Sequence, residues 1–484
     1  MGILRKIVSG AAWNTLSQLG RQVISLATIM VLARLLRPED FGLVAMSYVV
    51  KTLAYIFASM GIGSAIIQKK EIDEGYLSTA YWASVTSGIV IALIVSICSP
   101  LVARFFHRQE LTAIIIVTSS IFVFGGVSAT HRDYLERNMR FKQIAIIDFF
   151  GNCAGSVAAI AMAVQGMGYW SLVIQEIAAT AFKVPLFWKM SKWHPKFIFH
   201  REKFKDLFGF SVYVLMSNLL NFFNRNGDNI IIGRFLGATQ LGFYDLAYSL
   251  MLKPLQYISH TTSRALFPAL SKVQDDKKLV RKTYLQMVKI ISLITFPMMT
   301  GLAIIARDII MLIYGPKWES AIPVFTILCF VGAWQSVGTT VGTILLSQGR
   351  SSLAFKMAVT ISPFIWGAFW LGTRWGITGV AACYAIVSGS WWLISHAIAN
   401  RLINLKIFTF LKSLMPAIIY SLIMGIFIMF LHNKLIDETI SLITRLITII
   451  SCGIFIYILL LFSSRDDEIY RFRSKLVNLL YGNR

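Results

Sequence analysis

Apolar runs of about 20 residues, nearly free of charge, follow one another from residue 10 to residue 462. Each is long enough for a helix to cross the roughly 30 Å hydrocarbon core of a bilayer, which takes about 20 residues. None alternates polar and apolar positions in ten-residue units, so the pattern predicts helices rather than the strands of an outer-membrane barrel. Fourteen segments can be placed, with cores at 10–32, 42–66, 77–103, 111–130, 144–165, 168–188, 208–233, 240–262, 287–313, 321–346, 354–373, 376–399, 408–431 and 440–462. The expected fold class is an all-α polytopic membrane protein.

The pattern also repeats. VLARLLRPEDFGL at 31–43 and IIGRFLGATQLGF at 231–243 each end an apolar run, turn, and begin the next, and at the same offset Trp13 matches Tyr213, Ser17 matches Ser217 and Gly42 matches Gly242. A weaker echo pairs GMGYWSLV at 166–173 with WGITGVAA at 375–382. Six helices per half bring both halves in from the same side, which predicts a parallel repeat about an axis along the membrane normal. The expected organisation is an N-lobe at 1–188, a basic linker at 189–205, a C-lobe at 206–400, two further helices at 401–464 and an amphipathic tail at 465–484. In the linker, KMSKWHPKFIFHREKFK, cations and aromatics interleave as in a segment lying in the headgroup region; the alternative is an ordinary solvated loop.

Composition agrees: 56% of residues are hydrophobic and only 14% charged. The formal net charge of +23 changes the picture only through its distribution. Alternating helices place about 31 Lys and Arg on the side of the two termini and about nine on the other. That bias predicts cytoplasmic termini and contact with anionic lipid, not nucleic acid. The five cysteines lie in apolar segments without a C-x-x-C pair and read as small packing residues. The first apolar stretch is too long and too polar for a signal peptide and reads as a retained helix.

No P-loop, H-E-x-x-H, G-x-S-x-G or clustered Cys/His set is present in the sequence, which argues against an ATP-driven pump or hydrolase. The candidate chemistry is polar content inside the membrane segments. Asn14, Gln18, Arg21, Gln22 and Ser25 recur at helical spacing in the first segment, and Asn218, Asn221, Arg225 and Asp228 in the seventh. The two stripes superimpose at the repeat offset and are expected to face a wet cavity, because a charge at the bilayer centre costs roughly 2.5–3.5 kcal/mol. Lys51 and Lys253 fall near mid-membrane, giving with Arg21 and Arg225 four cations suited to a phosphate or pyrophosphate group. The alternative is that each pairs with an acid or snorkels, the latter being the expectation for Lys183 and Arg445.

Asp148, Glu176, Asp228 and Asp245 are the intramembrane acids, candidates for proton or sodium coupling. A local pair with Arg225 is the plainer reading of Asp228, and helix capping that of Asp245. Asp148 and Glu176 have no cation at i+3 or i+4. Pro185, Pro254, Pro297 and Pro363 interrupt segments, and the G-x-x-x-G pairs Gly151/Gly155 and Gly338/Gly342 predict close helix packing.

With the first motif, GIGSAIIQKKEI at 61–72, GFYDLAYSL at 242–250, RALFPALSKVQDD at 264–276 and YGPKW at 314–318 make the chain resemble the polysaccharide-transporter branch of the MOP exporter superfamily. These are Wzx-type flippases, and the likeness is to the colanic-acid and teichuronic-acid exporters in particular. It runs over about residues 1–400. The resemblance implies fourteen helices in two six-helix lobes plus two, and a cavity opening alternately to each side. It also implies transport of undecaprenyl-pyrophosphate-linked oligosaccharide across the bacterial cytoplasmic membrane for exopolysaccharide, O-antigen or capsule. Cavity arginines of related flippases match Arg21, Lys51 and Lys253 in helix and depth, two of them being lysines here. No catalytic residue and no cofactor beyond a coupling proton or sodium ion is implied. The implied partners are the lipid-linked substrate, membrane lipids and the polysaccharide polymerase and chain-length machinery, with the chain itself a monomer. Two other readings compete: a cation-coupled multidrug antiporter of the MATE type, whose site should be lined by acids, and a glycan-polymerising or ligating membrane enzyme, which generally carries large periplasmic loops.

Overall fold

A computed structural model of the chain describes residues 2–58, 63, 66–67, 72–207, 212–435 and 441–463. The amphipathic tail and most of the 61–72 loop lie outside the described residues. The regular structure described is helical. Residues Met1–Gly242 and Phe243–Arg484 form two compact units. The first holds α1 (Gly2–Leu35), α2 (Pro38–Ala58), α3 (Glu74–Phe106), α4 (Glu110–Arg137), α5 (Phe141–Val164), α6 (Trp170–Ser191), the short α7 (Arg201–Leu207) and α8 (Val212–Phe235). The helix α9 (Ala238–Lys272) begins in the first unit and continues into the second. There follow α10 (Lys277–Ile304), α11 (Ala306–Ile313), α12 (Ala321–Ser347), α13 (Ser351–Gly372), α14 (Gly376–Leu402), α15 (Ile407–Lys434) and α16 (Leu442–Ser463).

Among the described residues fourteen helices are 21 residues or longer, and each overlies one of the apolar runs. Nine stretches are long and apolar enough to cross a membrane, one of them, Ser351–Leu402, comprising α13 and α14. The long helices outside that set are α1, α6, α8 and α9. These four carry Arg21, Glu176, Arg225 and Lys253 of the candidate site.

The repeated motif is a helix stop and restart. In the first copy Pro38 opens α2, Glu39 and Asp40 fill its first turn, and the Asp40 carboxylate accepts the Arg37 backbone N–H at 2.8 Å. Proline there gives up no helical hydrogen bond, and the acids complement the positive end of the helix dipole. In the second copy Gly237 takes a φ of 85° and donates its N–H to the Ile232 carbonyl at 3.1 Å, a left-handed helix end suited to glycine. The two turns pack on each other reciprocally. A Cβ on Gly42 would lie 1.7 Å from the Ala238 carbonyl oxygen, and one on Gly242 would lie 2.0 Å from that of Pro38. Ala238 and Pro38 are themselves repeat equivalents, so this glycine pairing is the physical reason for the spacing in the sequence.

Other glycines set helix distances within the lobe. A Cβ on Gly155 would meet the Gln175 carbonyl at 2.3 Å and one on Gly151 the Lys183 side chain at 2.5 Å, so the Gly151/Gly155 pair does bring α5 onto α6. The Gly338/Gly342 expectation is corrected. Gly338 is in ordinary contact with Trp392, and among the described residues no atom lies within 4 Å of a Cβ added to Gly342. The prolines, too, do not interrupt: α6, α9, α10 and α13 continue through Pro185, Pro254, Pro297 and Pro363.

The linker is strapped to the end of α3. Trp82 donates its indole N–H to the Lys196 carbonyl at 2.8 Å and stacks on Phe197. The Ser78 and Thr79 hydroxyls each accept a linker N–H, from Lys196 and His200, at 3.1 Å. Trp193 is buried beside Tyr81, His131 and Tyr134, while Phe197 and Phe199 stand exposed. The segment is therefore anchored on one side and apolar on the other. Asp73 caps α3 through the Tyr76 N–H and pairs with Lys203 at 2.6 Å. The Lys203 ammonium first, then the cap, hold its carboxyl below the usual carboxylate range.

Two predictions follow from this packing. Gly42→Ala forces the two turns apart and is expected to cost about 1–3 kcal/mol, read as a lower melting temperature of detergent-purified protein, whereas Gly342→Ala leaves the melt unchanged or slightly raised. Because its folded pKa is depressed, Asp73 strengthens the strap above pH 3.8 and loses that effect as pH falls through its folded value. Asp73→Asn should speed hydrogen exchange at 196–200 at neutral pH and remove the acid dependence seen in the parent.

Candidate functional site

The intramembrane charges of the first unit collect into two groups. Asp148, on α5, is buried and receives cations from three other helices. Arg21 Nη1 of α1 lies 3.0 Å from its Oδ2, Lys183 Nζ of α6 lies 3.3 Å from Oδ1, and Arg132 Nη2 of α4 lies 3.8 Å from Oδ2. The local fold makes this reach possible, since Gly151, one turn beyond Asp148, leaves room for the aliphatic stem of Lys183. In the second group the Lys51 ammonium of α2 donates to Glu176 of α6 and sits over the Tyr48 ring at 4.6 Å from its centroid. Glu176 precedes Lys183 by seven residues on α6, so the two groups are about 10.5 Å apart along that helix, near the same face.

The charge balance is uneven. Within ion-pair distance four cations (Arg21, Arg132, Lys183, Lys51) meet two carboxylates (Asp148, Glu176); Arg132 also feels the neighbouring Asp133, and cations remain in excess. Neither group is sealed. The Arg132 side chain is 49% exposed and that of Glu176 40%, whereas Asp148 is 8% exposed. A chemistry of convergent, partly open cations around a buried carboxylate is that of anion binding.

This corrects part of the expectation. Arg21 and Lys51 are not cations short of acids: each is paired with a carboxylate more than a hundred positions away in sequence. Lys183 and Arg445 do not snorkel. Lys183 joins Asp148, and Arg445 pairs with Asp308, which also accepts from His432 at 2.9 Å. Asp308 is buried, and this second cluster ties α11, α15 and α16 together in the second unit. Gln18 on α1 and Asn218, Asn221 and Arg225 on α8 are exposed, at intervals of three and four along α8. Lys253 and Asp245 on α9 are partly buried. Asp228 is buried and accepts the Asn229 N–H at 2.8 Å.

Arg132 lies just past the fourth apolar core and Lys183 near the end of the sixth, so neither is singled out by the sequence as a partner of Asp148. The available signal was the Glu176/Lys183 pair at i and i+7 on a largely apolar helix, which marks one face without naming its partners.

Helices of this length and apolarity define a polytopic membrane protein. The chain belongs to the family described as polysaccharide biosynthesis protein, whose profile matches residues 31–323. It is similar to the teichuronic acid biosynthesis protein TuaB of Bacillus subtilis, 29% identical over 88% of each chain. It is also similar to the lipopolysaccharide biosynthesis protein WzxC of Escherichia coli, 29% identical over 74% of this chain and 73% of that one. Among solved structures, its fold is that of the lipid II flippase MurJ in an inward closed conformation, with a TM-score of 0.73 at 16% identity over 92% of this chain and 97% of that one. An inward-facing multidrug resistance MATE family transporter shares it with a TM-score of 0.60 at 14% identity over 79% and 94% of the two chains.

The pairing of Arg21 with Asp148 is expected to appear in a double-mutant cycle of Arg21→Gln and Asp148→Asn as a coupling of about 0.5–3 kcal/mol, measured by denaturation in detergent. Additive effects would show that the two groups are not in contact.

Proposed function

We propose that this protein is a flippase that moves undecaprenyl-pyrophosphate-linked oligosaccharide units from the inner to the outer leaflet of a bacterial cytoplasmic membrane. The single observation that carries the reading is the excess of cations over carboxylates at membrane depth in the first unit. A passenger with a phosphorylated head offsets that excess, whereas a cationic drug adds to it. Relatives named for teichuronic acid and lipopolysaccharide biosynthesis support a glycan as the rest of the cargo, and the shared fold with a lipid II flippase supports a lipid carrier.

In this reading all fourteen long helices span the bilayer, as two six-helix lobes at 1–188 and 206–400 joined by the interfacial linker and followed by two further helices, with both termini cytoplasmic. Gln18, Arg21, Lys51, Asn218, Asn221 and Arg225 in the first unit, and Lys253 in the second, contact the glycan and pyrophosphate during transport, while the prenyl tail stays in lipid. Asp148 and Glu176 act chiefly as counter-ions that make the buried cations tolerable. Asp228 and Asp245 remain the acids to test for ion coupling.

Replacing Arg21, Lys51, Arg225 and Lys253 together by Gln should abolish export while the protein still inserts. Mass spectrometry of the lipid-linked saccharide, with assignment of its leaflet, should find it accumulating on the cytoplasmic side as in a deletion strain. Normal export by the quadruple variant overturns the assignment.

A further inference from the structure

The Asp148 group holds more positive charge than its own structure uses. One carboxylate needs one cation for neutrality, yet three converge on it from α1, α4 and α6, at 3.0, 3.8 and 3.3 Å. Desolvating surplus cations is costly, so a purely structural cluster would be expected to stop at one or two. The surplus is also accessible. Arg132 is half exposed, and Arg21 and Lys183 have side-chain exposures of 23% and 21%. Two of the three are guanidinium groups, whose planar forks match phosphate oxygens, and the third is a compact ammonium.

The position of the group along the helices is equally informative. Asp148 is seven residues from the start of α5, Lys183 eight from the end of α6 and Arg132 five from the end of α4. All three therefore lie about 7–12 Å inside the helix ends on the side where α4 passes into α5. The Lys51/Glu176 pair lies two turns further along α6. The charges form two stations in line, the outer one richer in cations.

We propose that Arg132 and Lys183, together with Arg21, form a phosphate-binding entry station, at which Asp148 is an exchangeable counter-ion that a pyrophosphate group displaces before moving on towards Lys51. This rests on the flippase reading and extends it to two residues and a role for Asp148. A pyrophosphate esterified to lipid at one end and glycan at the other carries about −2 charges and roughly four unesterified acceptor oxygens, enough to satisfy three donors that share one carboxylate in its place. Exchange involves no covalent step: one set of charge-assisted hydrogen bonds replaces another, and the released carboxylate turns to water on the open side of the group.

The test is direct binding to the purified full-length protein in nanodiscs, with farnesyl pyrophosphate as probe and short-chain phosphatidylglycerol as the membrane-lipid comparison. The parent should bind farnesyl pyrophosphate in preference to phosphatidylglycerol. Arg132→Gln and Lys183→Gln should each weaken that binding about tenfold or more, and Lys183→Arg should restore most of it. Asp148→Asn should tighten it, because the internal competitor is gone, whereas a merely structural carboxylate would weaken it when removed. Monodisperse elution certifies that each variant is folded. Should Lys183→Gln fail that check, Arg132→Gln, at a half-exposed position, carries the test with Asp148→Asn. If the parent binds and the Arg132 and Lys183 variants bind equally well, the station is overturned and the flippase reading stands. Preference for phosphatidylglycerol makes the group a membrane-lipid site and overturns the station as well. If the parent binds no farnesyl pyrophosphate, both fail.

Discussion

A charge carried into the bilayer must be compensated where it stands, and that constraint organises both units. In the first, Arg21, Arg132 and Lys183 share Asp148, and Lys51 has Glu176. In the second, Arg445 and His432 share Asp308. Each cluster joins three or more elements, or two distant ones, so the charges fix helix positions that apolar contacts in lipid fix only weakly, since lipid tails solvate leucine as well as another helix does. The clusters differ in one respect. Around Asp308 one permanent cation and one histidine meet the carboxylate, a balance that suits a structural tie. Around Asp148 the balance is exceeded, and the excess is what a tie does not require.

The second constraint is steric. Gly42 against Ala238 and Gly242 against Pro38 bring two equivalent turns into backbone contact. Close approach through small residues is the usual substitute, within membranes, for the hydrophobic drive that holds soluble helices together. The reciprocity matters more than either contact alone, since equivalent residues contact each other's turn, as a two-fold relation between the copies requires. Any motion that separates the turns gives up both contacts at once.

The helical architecture was legible because membrane helices must satisfy their backbone internally and must be apolar outside, and both requirements leave long runs in the sequence. The repeat was legible for a similar reason: Gly42 and Gly242 have no freedom to vary, so they stand at matching positions. Charge pairing was not legible. Asp148 and Arg21 are 127 positions apart, and periodicity reports only the face of one helix, never the face of its neighbour. Reading Lys183 as a snorkelling residue failed for that reason, and the role of Arg132 is hidden from the sequence for the same one. The Gly338/Gly342 spacing misled in the opposite sense, since small residues permit close packing but a partner must be present to use it.

The pairing of the site cations also bears on how a carrier avoids holding its cargo too well. Four lone cations at membrane depth would be expensive to fold and would bind a pyrophosphate so strongly that release became the slow step; movement along a path needs binding strong enough to enter and weak enough to leave. Internal carboxylates solve both difficulties with the same atoms. They lower the cost of burying the cations, and they subtract their own pairing energy from whatever the phosphate gains. On the proposed function, two such groups, a short distance apart along α6, offer an anion successive sites in place of one deep well, the outer one richer in cations.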